Sequence, residues 1–528
     1  MNNGRWVKTI GPGLLVGFVA ALLMTLMMLA LRYFFGIATP AELNGDRIAP
    51  FIPVDFFFKL LGLVGGFNTL KQLGIGNVIL GQLIVGALGG WLYATIVERE
   101  RAHDPTQHRS MGISRRGMLV VMLMVGLAWV VSIGSLWPVL GTHYQGLPPG
   151  QAAMVTVSGL LISYAVYGAA LLGFYRFISD EPPPRSVPAT THGIGRRALL
   201  LGGVGVAAVL ASTALLRQLY RLATYSYDGK EYKGADLQPI TPNDRFYCVS
   251  KNNIDPHVKK DWWRVEITGQ VERPRTYRLE DIVALPAVEQ ETTLQCISNS
   301  IGGGLMSNAI WKGVPLRILL EAAGPKAGVT EVVCRSVDGY TDDLPLEKAM
   351  DPTTLVAYEM NGVPLPQNHG FPARILAPGY VGEKSVKWVT RIELHNEDSK
   401  QFYEKQGWGP NFILHTHSRI DVPDFKGPLP LGSIIVLKGV AFAGNRGVDR
   451  VEISFDDGRT WKETELTYKQ SPLAWVHWKT SWHPREAGEY KLAVRATDGT
   501  GAVQTAKTQN IAPEGATGYH RVTARILA

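Results

Sequence analysis

The chain has 528 residues, a formal net charge of +8 and three widely spaced cysteines, Cys248, Cys296 and Cys334. The length predicts several domains, and without a Cys-x-x-Cys spacing the sequence supports neither a disulfide framework nor a structural zinc site. Much of the Lys and Arg lies in short clusters beside apolar segments, which indicates membrane topology and not a nucleic-acid partner.

Residues 1–216 are mostly apolar and contain about five predicted transmembrane helices, each of about 20 residues. The predicted spans are 13–35, 75–97, 118–140, 154–177 and 198–216. A shorter apolar stretch, 51–67, carries Asp55 and Lys59, and we interpret it as an interfacial or re-entrant piece. Because no predicted span contains a histidine, no haem is expected among these helices.

The charges of the loops predict how these spans are oriented. The segments 98–116 and 176–197 are rich in arginine, whereas 141–153 contains neither Lys nor Arg. By the positive-inside rule the two basic loops are cytoplasmic. The N-terminus is then inside, and everything after Leu216 is expected on the extracytoplasmic side of the cell membrane, with the spans in contact with lipid.

The second half reads as a water-soluble sequence in three parts. Residues 217–240 are polar and rich in tyrosine, which predicts a tether, and 241–428 reads as a mixed α+β domain. From 429 to 528, short strands at regular spacing and the turn Asp456-Asp457-Gly458 predict a β-sandwich with a tail. Within 241–428 the pattern predicts strands 263–269, 276–279 and 331–336 and helices 279–284 and 316–323, the last closed by Gly324.

One cysteine of the α+β domain stands out. Cys296 ends the apolar, β-branched run Thr292–Gln295 and is followed at once by small residues, including Gly302-Gly303-Gly304. A thiolate there can act as a nucleophile or a metal ligand. A lone cysteine that ends a strand is more often a small buried apolar residue, and both interpretations stay open on this stretch alone.

Cationic side chains concentrate in two turn-rich stretches further along the domain. Glycine and proline fix tight loops there, and the donors are His369, Arg374, Lys384 and Lys387. Such loops suit an anionic ligand that carries phosphate, with Arg374 able to make bidentate contacts. The alternative is an ordinary solvated basic surface.

Several ordered motifs together resemble the sulfite oxidase family of molybdopterin enzymes over residues 240–515. In the α+β domain they are Thr293-Leu294-Gln295-Cys296, Trp311-x-Gly313-Val314-Pro315-Leu316, His369-Gly370-Phe371-Pro372-x-Arg374 and Gly382-x-Lys384-Ser385-Val386-Lys387-Trp388. The run 451–461 and Arg495-Ala496-Thr497-Asp498 look like that family's immunoglobulin-like dimerisation domain, which implies a homodimer. The fold class is then an all-α transmembrane region, an α+β molybdopterin domain and a C-terminal immunoglobulin-like β-sandwich.

The resemblance implies a cofactor and a set of residues that hold it. It implies a mononuclear molybdenum on a single molybdopterin, with Cys296 as the thiolate ligand of the metal. The implied cofactor contacts are Tyr247, Cys248, Asn252, His369, Arg374, Gly382, Lys384, Ser385 and Lys387. Because such a cofactor must cross a membrane inside a folded domain, the resemblance favours a twin-arginine export signal at Arg196-Arg197. The alternative is that this pair only marks the cytoplasmic end of a helix.

Two departures from the family concern the substrate. Lys251 stands where sulfite oxidases carry an arginine, and Trp408 lies near the place of the family's pocket tyrosine, so both are candidate catalytic residues. The resemblance implies oxygen-atom transfer to or from a small oxyanion or S-oxide, with electrons exchanged with a separate cytochrome or membrane redox partner. One alternative is a reductase of sulfoxides or related oxides. An alternative of another class is a non-catalytic, membrane-anchored surface binding protein.

Overall fold

The structure is a computed structural model that describes residues 3–103, 115–179, 196–221, 231–252 and 254–528. The chain forms two compact units. The helical unit comprises Met1–Ile48, Phe67–Tyr144 and Pro149–Ala223. The β-rich unit comprises Ala49–Gly66, Gln145–Pro148 and Thr224–Ala528. Two short segments of the apolar half therefore pack with the second half of the chain.

The first half of the chain is α-helical. Its helices are α1 Asn3–Phe35, α2 Pro40–Ile48, α3 Val54–Val64, α4 Phe67–His103, α5 Arg115–Leu136, α6 Pro149–Ser179 and α7 Arg196–Arg221. Among the described residues, five helical stretches are long and apolar enough to cross a membrane, by length and composition: Ile10–Phe35, Thr69–Glu100, Arg115–Val139, Pro149–Ile178 and Leu199–Leu219. Each of the five predicted spans overlaps one of them.

Small residues bring α1 and α4 into close contact within the helical unit. Gly13 and Gly17 recur at a spacing of four on α1, and Gly86 and Gly90 do so on α4. A Cβ built on Gly17 would lie 2.8 Å from Gly90 Cα and would also collide with the Gly86 carbonyl. Small residues at this spacing let two apolar helices pack backbone against backbone.

Among the described residues, the β-rich unit contains two groups of strands and, in addition to α3, four short helices. The first group is β1 Val265–Gly269, β2 Arg275–Tyr277, β3 Val288–Gln295, β4 Met306–Pro315, β5 Glu331–Ser336, β6 Thr341–Pro345, β7 Leu355–Met360, β8 Val363–Pro364, β9 Arg374–Leu376 and β10 Val389–His395. The second group is β11 His417–Val422, β12 Leu429–Pro430, β13 Ile435–Phe442, β14 Val448–Ser454, β15 Lys462–Glu463, β16 Glu465–Tyr468, β17 Val476–Trp482, β18 Gly488–Asp498 and β19 His520–Leu527. The helices are α8 Leu279–Val283, α9 Leu316–Ala323, α10 Leu346–Met350 and α11 Phe402–Lys405.

The first group forms the predicted α+β domain. One sheet has the order β2-β1-β10-β5-β6, with β1 parallel to β10, and the other has the order β3-β4-β7-β8, with β9 beside β7. A single core that includes Ile267, Leu320 and Val356 joins both sheets to α9. The predicted helix 316–323 is confirmed, and Gly324 closes it in the left-handed conformation, with φ +70°. Cys334 lies in this core on β5.

The second group forms the predicted β-sandwich. Its two sheets have the orders β11-β13-β17-β16 and β12-β19-β18-β14-β15. Leu437 and Trp478 from one sheet share a core with Val451 and Leu492 from the other. The predicted hairpin turn joins β14 to β15. The sandwich begins with β11, ahead of the predicted boundary at 429, because β11 is hydrogen-bonded to β13.

Two stretches predicted from the sequence, the interfacial or re-entrant piece at 51–67 and the tether at 217–240, contribute residues to the β-rich unit. The stretch 51–67 forms a short 3-10 turn and α3, and the Val54 N–H donates to Gln406 O at 2.9 Å. The end of the predicted tether also packs closely, because Tyr232 is 1% exposed and stacks on Trp475 with ring centroids 6.3 Å apart. Residues 222–230 lie outside the described residues.

The contact between α1 and α4 can be tested by filling it. Gly90→Leu should drive the helices apart, because the new side chain would collide with the backbone of Gly13 and Gly17. Overpacking of this kind costs about 1–3 kcal/mol, so we expect a lower thermal midpoint of the purified full-length protein in detergent. The control is Gly81→Leu on the same helix, where nothing lies within 4 Å of an added Cβ. Equal losses in the two variants would contradict the close packing.

Candidate active site

The strand β3 delivers Cys296 to the site. It pairs with β4 as far as Gln295 and Met306, and Cys296 is the next residue. Its N–H donates to Leu305 O at 3.0 Å, and its thiol lies 3.0 Å from the Ser298 hydroxyl. Burial, followed by the nearby Glu383, raises the pKa of the Cys296 thiol to about 12. A thiolate at this position therefore needs a compensating positive charge, which a bound metal ion supplies.

A pocket opens beside Cys296 in the α+β domain. Its cavity volume is about 110 Å³, and it is partly open to solvent. The pocket gathers most of the predicted cofactor and catalytic residues around Cys296: Tyr247, Cys248, Lys251, His369, Arg374, Gly382, Ser385 and Lys387.

Two cations line one side of this pocket, the buried Arg374 and the half-buried Lys387. Arg374 is 4% exposed, and its guanidinium donates to His369 O at 3.1 Å and Ser385 O at 2.8 Å. Lys387 Nζ donates to Asn368 O at 3.1 Å and Val249 O at 3.3 Å. Among the described residues, neither is paired with a carboxylate. Burial lowers the pKa of Arg374 to about 10, so it remains charged at neutral pH. Unpaired buried charge of this kind fits an anionic ligand.

His369 and Gly370 shape the same side of the pocket. His369 Nε2 lies 2.9 Å from the Asn243 carbonyl oxygen, so this nitrogen carries the proton, because a carbonyl can only accept. Gly370 has φ +113°, and a Cβ there would lie 3.0 Å from Arg374 Cβ and 3.3 Å from Lys387 Cα. Only glycine fits both the conformation and the space.

Gly382 lets the backbone pass close to Cys296. A Cβ on Gly382 would collide with the Tyr247 hydroxyl and lie 3.2 Å from Gln295 O. Tyr247 stacks on Phe246, and Cys248 Sγ lies 3.6 Å from Asn368 O. Glycine at 382 therefore keeps this wall of the pocket open.

Two further predicted residues form a polar cluster at one edge of the pocket. Lys251 lines the pocket, and its Nζ donates to Asp338 O at 2.9 Å. Asn252 is buried behind it and donates to Asp338 Oδ2 at 2.6 Å. The hydroxyl of Ser385, which faces the cations, accepts a hydrogen bond from Ala377 N at 3.1 Å.

Lys384 does not face the ligand, contrary to the implied cofactor contact. It is 3% exposed, and its Nζ lies 2.7 Å from Asp342 Oδ1 and 2.8 Å from Asp343 Oδ1. Burial alone would lower the pKa of Lys384, but the two aspartates raise it. The charge of Lys384 is thus neutralised inside the protein, because β6 brings two carboxylates to it.

Trp408 lies behind the pocket wall and not in it. Its ring centroid is 6.3 Å from that of Tyr403, which does line the pocket. On its other side, Phe58 of α3 lies 6.0 Å away in an edge-to-face contact. Any effect of Trp408 on a bound substrate must therefore pass through Tyr403.

The structure adds residues that the motifs did not single out. Tyr340, Tyr403, Asp338 and Glu383 line the pocket. The Tyr340 hydroxyl donates to Asp342 Oδ2 at 2.5 Å, and burial raises the pKa of Glu383 to about 8. Glu383 occupies the variable position of the Gly382-x-Lys384 motif, so only its adjacency to the motif could have indicated it. Nothing local marks Tyr340, which β6 and its preceding turn carry to the pocket.

Comparisons with known proteins agree with this geometry. The family model for the oxidoreductase molybdopterin-binding domain matches residues 252–403, and that for the Mo-co oxidoreductase dimerisation domain matches 413–526. Mitochondrial sulfite oxidase of Rattus norvegicus is 31% identical over 54% of this chain and 62% of its own length. Nitrate reductase [NAD(P)H] of Hordeum vulgare is 31% identical over 49% of this chain and 36% of its own length. The matched regions thus span less than two thirds of these relatives.

A solved structure shares the fold. The sulfane dehydrogenase SoxCD from Paracoccus pantotrophus aligns with a TM-score of 0.50 and 24% identity, over 56% of this chain and 85% of that chain. Both matched family models lie in the β-rich unit, and the pocket with Cys296 lies in the region of the first. The cofactor of this family is molybdopterin. The chain belongs to the sulfite oxidase family of molybdopterin-dependent oxidoreductases.

Proposed function

We propose that this protein is a membrane-anchored molybdenum oxidoreductase whose extracytoplasmic domain moves an oxygen atom to or from a small S-oxide or oxyanion. The observation that carries the proposal is the placement of a thiol and of two cations at different walls of one pocket. The Cys296 thiol lies at one wall, and the cations Arg374 and Lys387, which pair with no carboxylate among the described residues, lie at another together with the Cys248 thiol. A soft metal ligand beside a receptor for an anion fits a metal held on a phosphate-bearing organic group.

Each wall has a separate task in this proposal. Arg374 and Lys387 hold the anionic part of molybdopterin, and His369 lines the same wall. Cys296 ligates the metal. When bound, the molybdenum cofactor supplies two-electron oxygen-atom transfer. Lys384 is given no cofactor contact, since its charge already lies between Asp342 and Asp343.

The surroundings of Cys296 favour an uncharged S-oxide over sulfite. Burial raises the pKa of the Cys296 thiol, and Glu383 raises it further. Tyr340 and Tyr403 complete this wall. Lys251, a flexible cation of the pocket, already donates to Asp338 O at 2.9 Å. Above about pH 8, where Glu383 is ionised, an anionic substrate would also meet like charge, which costs several kcal/mol when unscreened, whereas the Tyr403 hydroxyl can donate to the oxygen of a neutral S-oxide.

The packing of two short segments supports the proposed membrane topology. Five spans with a cytoplasmic N-terminus place 49–66, 145–148 and the region after 224 on one side of the membrane. These three segments form the β-rich unit. On α3, Phe56 is 53% and Leu63 is 81% exposed, and such apolar exposure suits a helix that lies in a lipid interface. Each feature fits anchoring of the site close to the bilayer.

Two partners complete the proposal. The match to the dimerisation-domain model over 413–526 supports a homodimer formed through the sandwich. Oxygen-atom transfer changes the metal by two electrons, which a separate cytochrome or membrane redox partner must supply or remove. The five-helix region gives such a partner a place to dock in the membrane.

Substitution of the proposed ligand tests the metal assignment. Cys296→Ser should lose at least about tenfold of the oxygen-transfer activity, because a hard hydroxyl replaces a soft thiolate, and the molybdenum absorption spectrum of the purified full-length protein should change. The control is Cys334→Ala, since Cys334 lies in the core on β5. Unaltered spectrum and activity in the Cys296 variant would refute the assignment.

A substrate panel tests the direction of the charge argument. We expect kcat/KM for an uncharged methyl aryl sulfoxide to exceed that for sulfite by about tenfold or more at about pH 9, because Glu383, whose pKa is about 8, is then ionised and its charge disfavours the anion. The assays use full-length protein in detergent, a reduced viologen for the sulfoxide and ferricyanide for sulfite. Cys296→Ser protein gives the background of each assay. A clear preference for sulfite would exclude the uncharged substrate class.

Protease accessibility tests the topology and the arginine pair together. In sealed right-side-out vesicles, an added protease should remove a C-terminal tag and spare an N-terminal one. Replacing Arg196 and Arg197 by lysine should protect the C-terminal tag, because twin-arginine export reads that pair. The same change at Arg115 and Arg116 is the matched control. If both variants are exported equally, the first pair only ends a helix.

A further inference from the structure

A buried ion pair of the sandwich reaches into the loop that follows Cys296. Arg419 and Asp421 on β11 are each 3% exposed, and Arg419 Nε lies 2.9 Å from Asp421 Oδ1. We propose that Arg419 is a positioning residue for Cys296. The same hydrogen-bond network also holds the end of the membrane tether, residues 231–234. This inference rests on the proposed role of Cys296 as the metal ligand.

The guanidinium of Arg419 joins three parts of the chain. Its Nη1 donates to Gly303 O at 2.9 Å, and its Nη2 donates to Tyr232 O at 2.9 Å. Asp421 completes the set, because its Oδ1 accepts from the Gly234 N–H at 3.1 Å. The sandwich thereby holds the loop after Cys296 and the tether with one planar group.

The tether and the loop also bind each other directly. The Tyr232 N–H donates to Gly304 O at 2.8 Å. A Cβ on Gly304 would lie 2.8 Å from Glu231 Cβ, so the two backbones run in close contact. The Tyr232 ring then stacks on Trp475 of the sandwich. The residues around Tyr232, which follow α7 in the sequence, therefore pack against the loop after Cys296.

The clamped loop closes on Cys296 itself. At its ends, the Cys296 N–H donates to Leu305 O at 3.0 Å and the Asn299 N–H donates to Cys296 O at 3.0 Å. Inside the loop, the Leu305 N–H donates to Asn299 Oδ1 at 3.0 Å. These hydrogen bonds make the loop move as one unit, so a displacement of Gly303 also displaces the Cys296 thiol.

His520 supports the loop from the other side. A Cβ at Gly302, which has φ +72°, would collide with the His520 ring. The His520 Nδ1 accepts from the Ile420 N–H at 3.0 Å, and burial lowers its pKa to about 4, so the ring is neutral. Arg419 thus donates to Gly303, and His520 packs against the neighbouring Gly302. Both side chains belong to the sandwich.

Arginine is needed because the acceptors lie in different directions. The pair is buried, and every contact given above ends on a carboxylate or a carbonyl, which makes a satisfied network. A lysine would keep the charge beside Asp421 but would present a compact ammonium in place of a planar fork. It cannot reach Gly303 O and Tyr232 O together while it pairs with Asp421.

The test is Arg419→Lys in full-length protein in detergent, with Arg495→Gln as the control. Arg495 belongs to the same sandwich and pairs with Glu452 at 2.9 Å. We expect amide hydrogen exchange in 297–305 to rise about tenfold in the first variant, from the loss of one or two hydrogen bonds. We also expect a shifted molybdenum reduction potential and a kcat lowered about ten- to a hundredfold at unchanged molybdenum content. The control should show none of these changes.

A second pair of variants covers the case in which Arg419→Lys does not fold. Gly302→Ala should raise exchange in the same loop, whereas Gly328→Ala should not, because Gly328 has φ +86° but nothing within 4 Å of an added Cβ. Unchanged loop exchange and reduction potential in Arg419→Lys, or in Gly302→Ala where that variant is the one that folds, would overturn the proposal. Wild-type protein without molybdenum would instead refute the proposed function, and loop exchange would still report on the clamp.

Discussion

The pocket depends on two cations that no carboxylate of the described residues neutralises. Carbonyl oxygens accept from Arg374 and Lys387, and Lys387 Nζ also lies 3.9 Å from Cys248 Sγ. A buried charge such as that of Arg374 is costly in this state until an anion arrives. The folded protein therefore carries this unfavourable free energy until an anion binds, and binding of the anion removes it. The glycine turns at 370 and 382 serve the same purpose, because they bring backbone close to the site without side chains that would fill it.

Cys296 lies opposite that charge and obeys a different constraint. A soft ligand must lie at a fixed place on a metal, and hydrogen bonds around the ligand commonly fix it. Here the thiol belongs to a short loop closed by backbone hydrogen bonds, and that loop is held by Arg419 and by Tyr232. The sandwich thus bears on the geometry of the proposed metal ligand.

Two short segments of the apolar half pack against the second half of the chain. Val54 and Gln406 join the start of α3 to the turn after α11, and Phe58 backs the Trp408 and Tyr403 rings at the pocket wall. Gly146, in the segment 145–148, packs against Trp263 so closely that a Cβ would lie 3.0 Å from its Cα. Loops between predicted spans are therefore structural parts of the β-rich unit, and the site is built at a fixed place relative to them.

The sequence by itself determined the element types, the family and the chemistry of the site. Apolar periodicity located α9, β5 and the sandwich strands, and the ordered motifs supplied Cys296, His369, Arg374 and Lys387, because side-chain chemistry and local propensity are written residue by residue. Only the tertiary structure decided which cations line the pocket. Lys384 and Lys387 are three residues apart and read alike, yet Asp342 and Asp343 on β6 neutralise the first. The same holds for Trp408, which Tyr403 screens, and for Arg419, whose carbonyl partners Gly303 and Tyr232 lie more than a hundred residues away. The counter-charges and packing neighbours of these residues come from parts of the chain that are distant in the sequence, and no local sequence pattern indicates them.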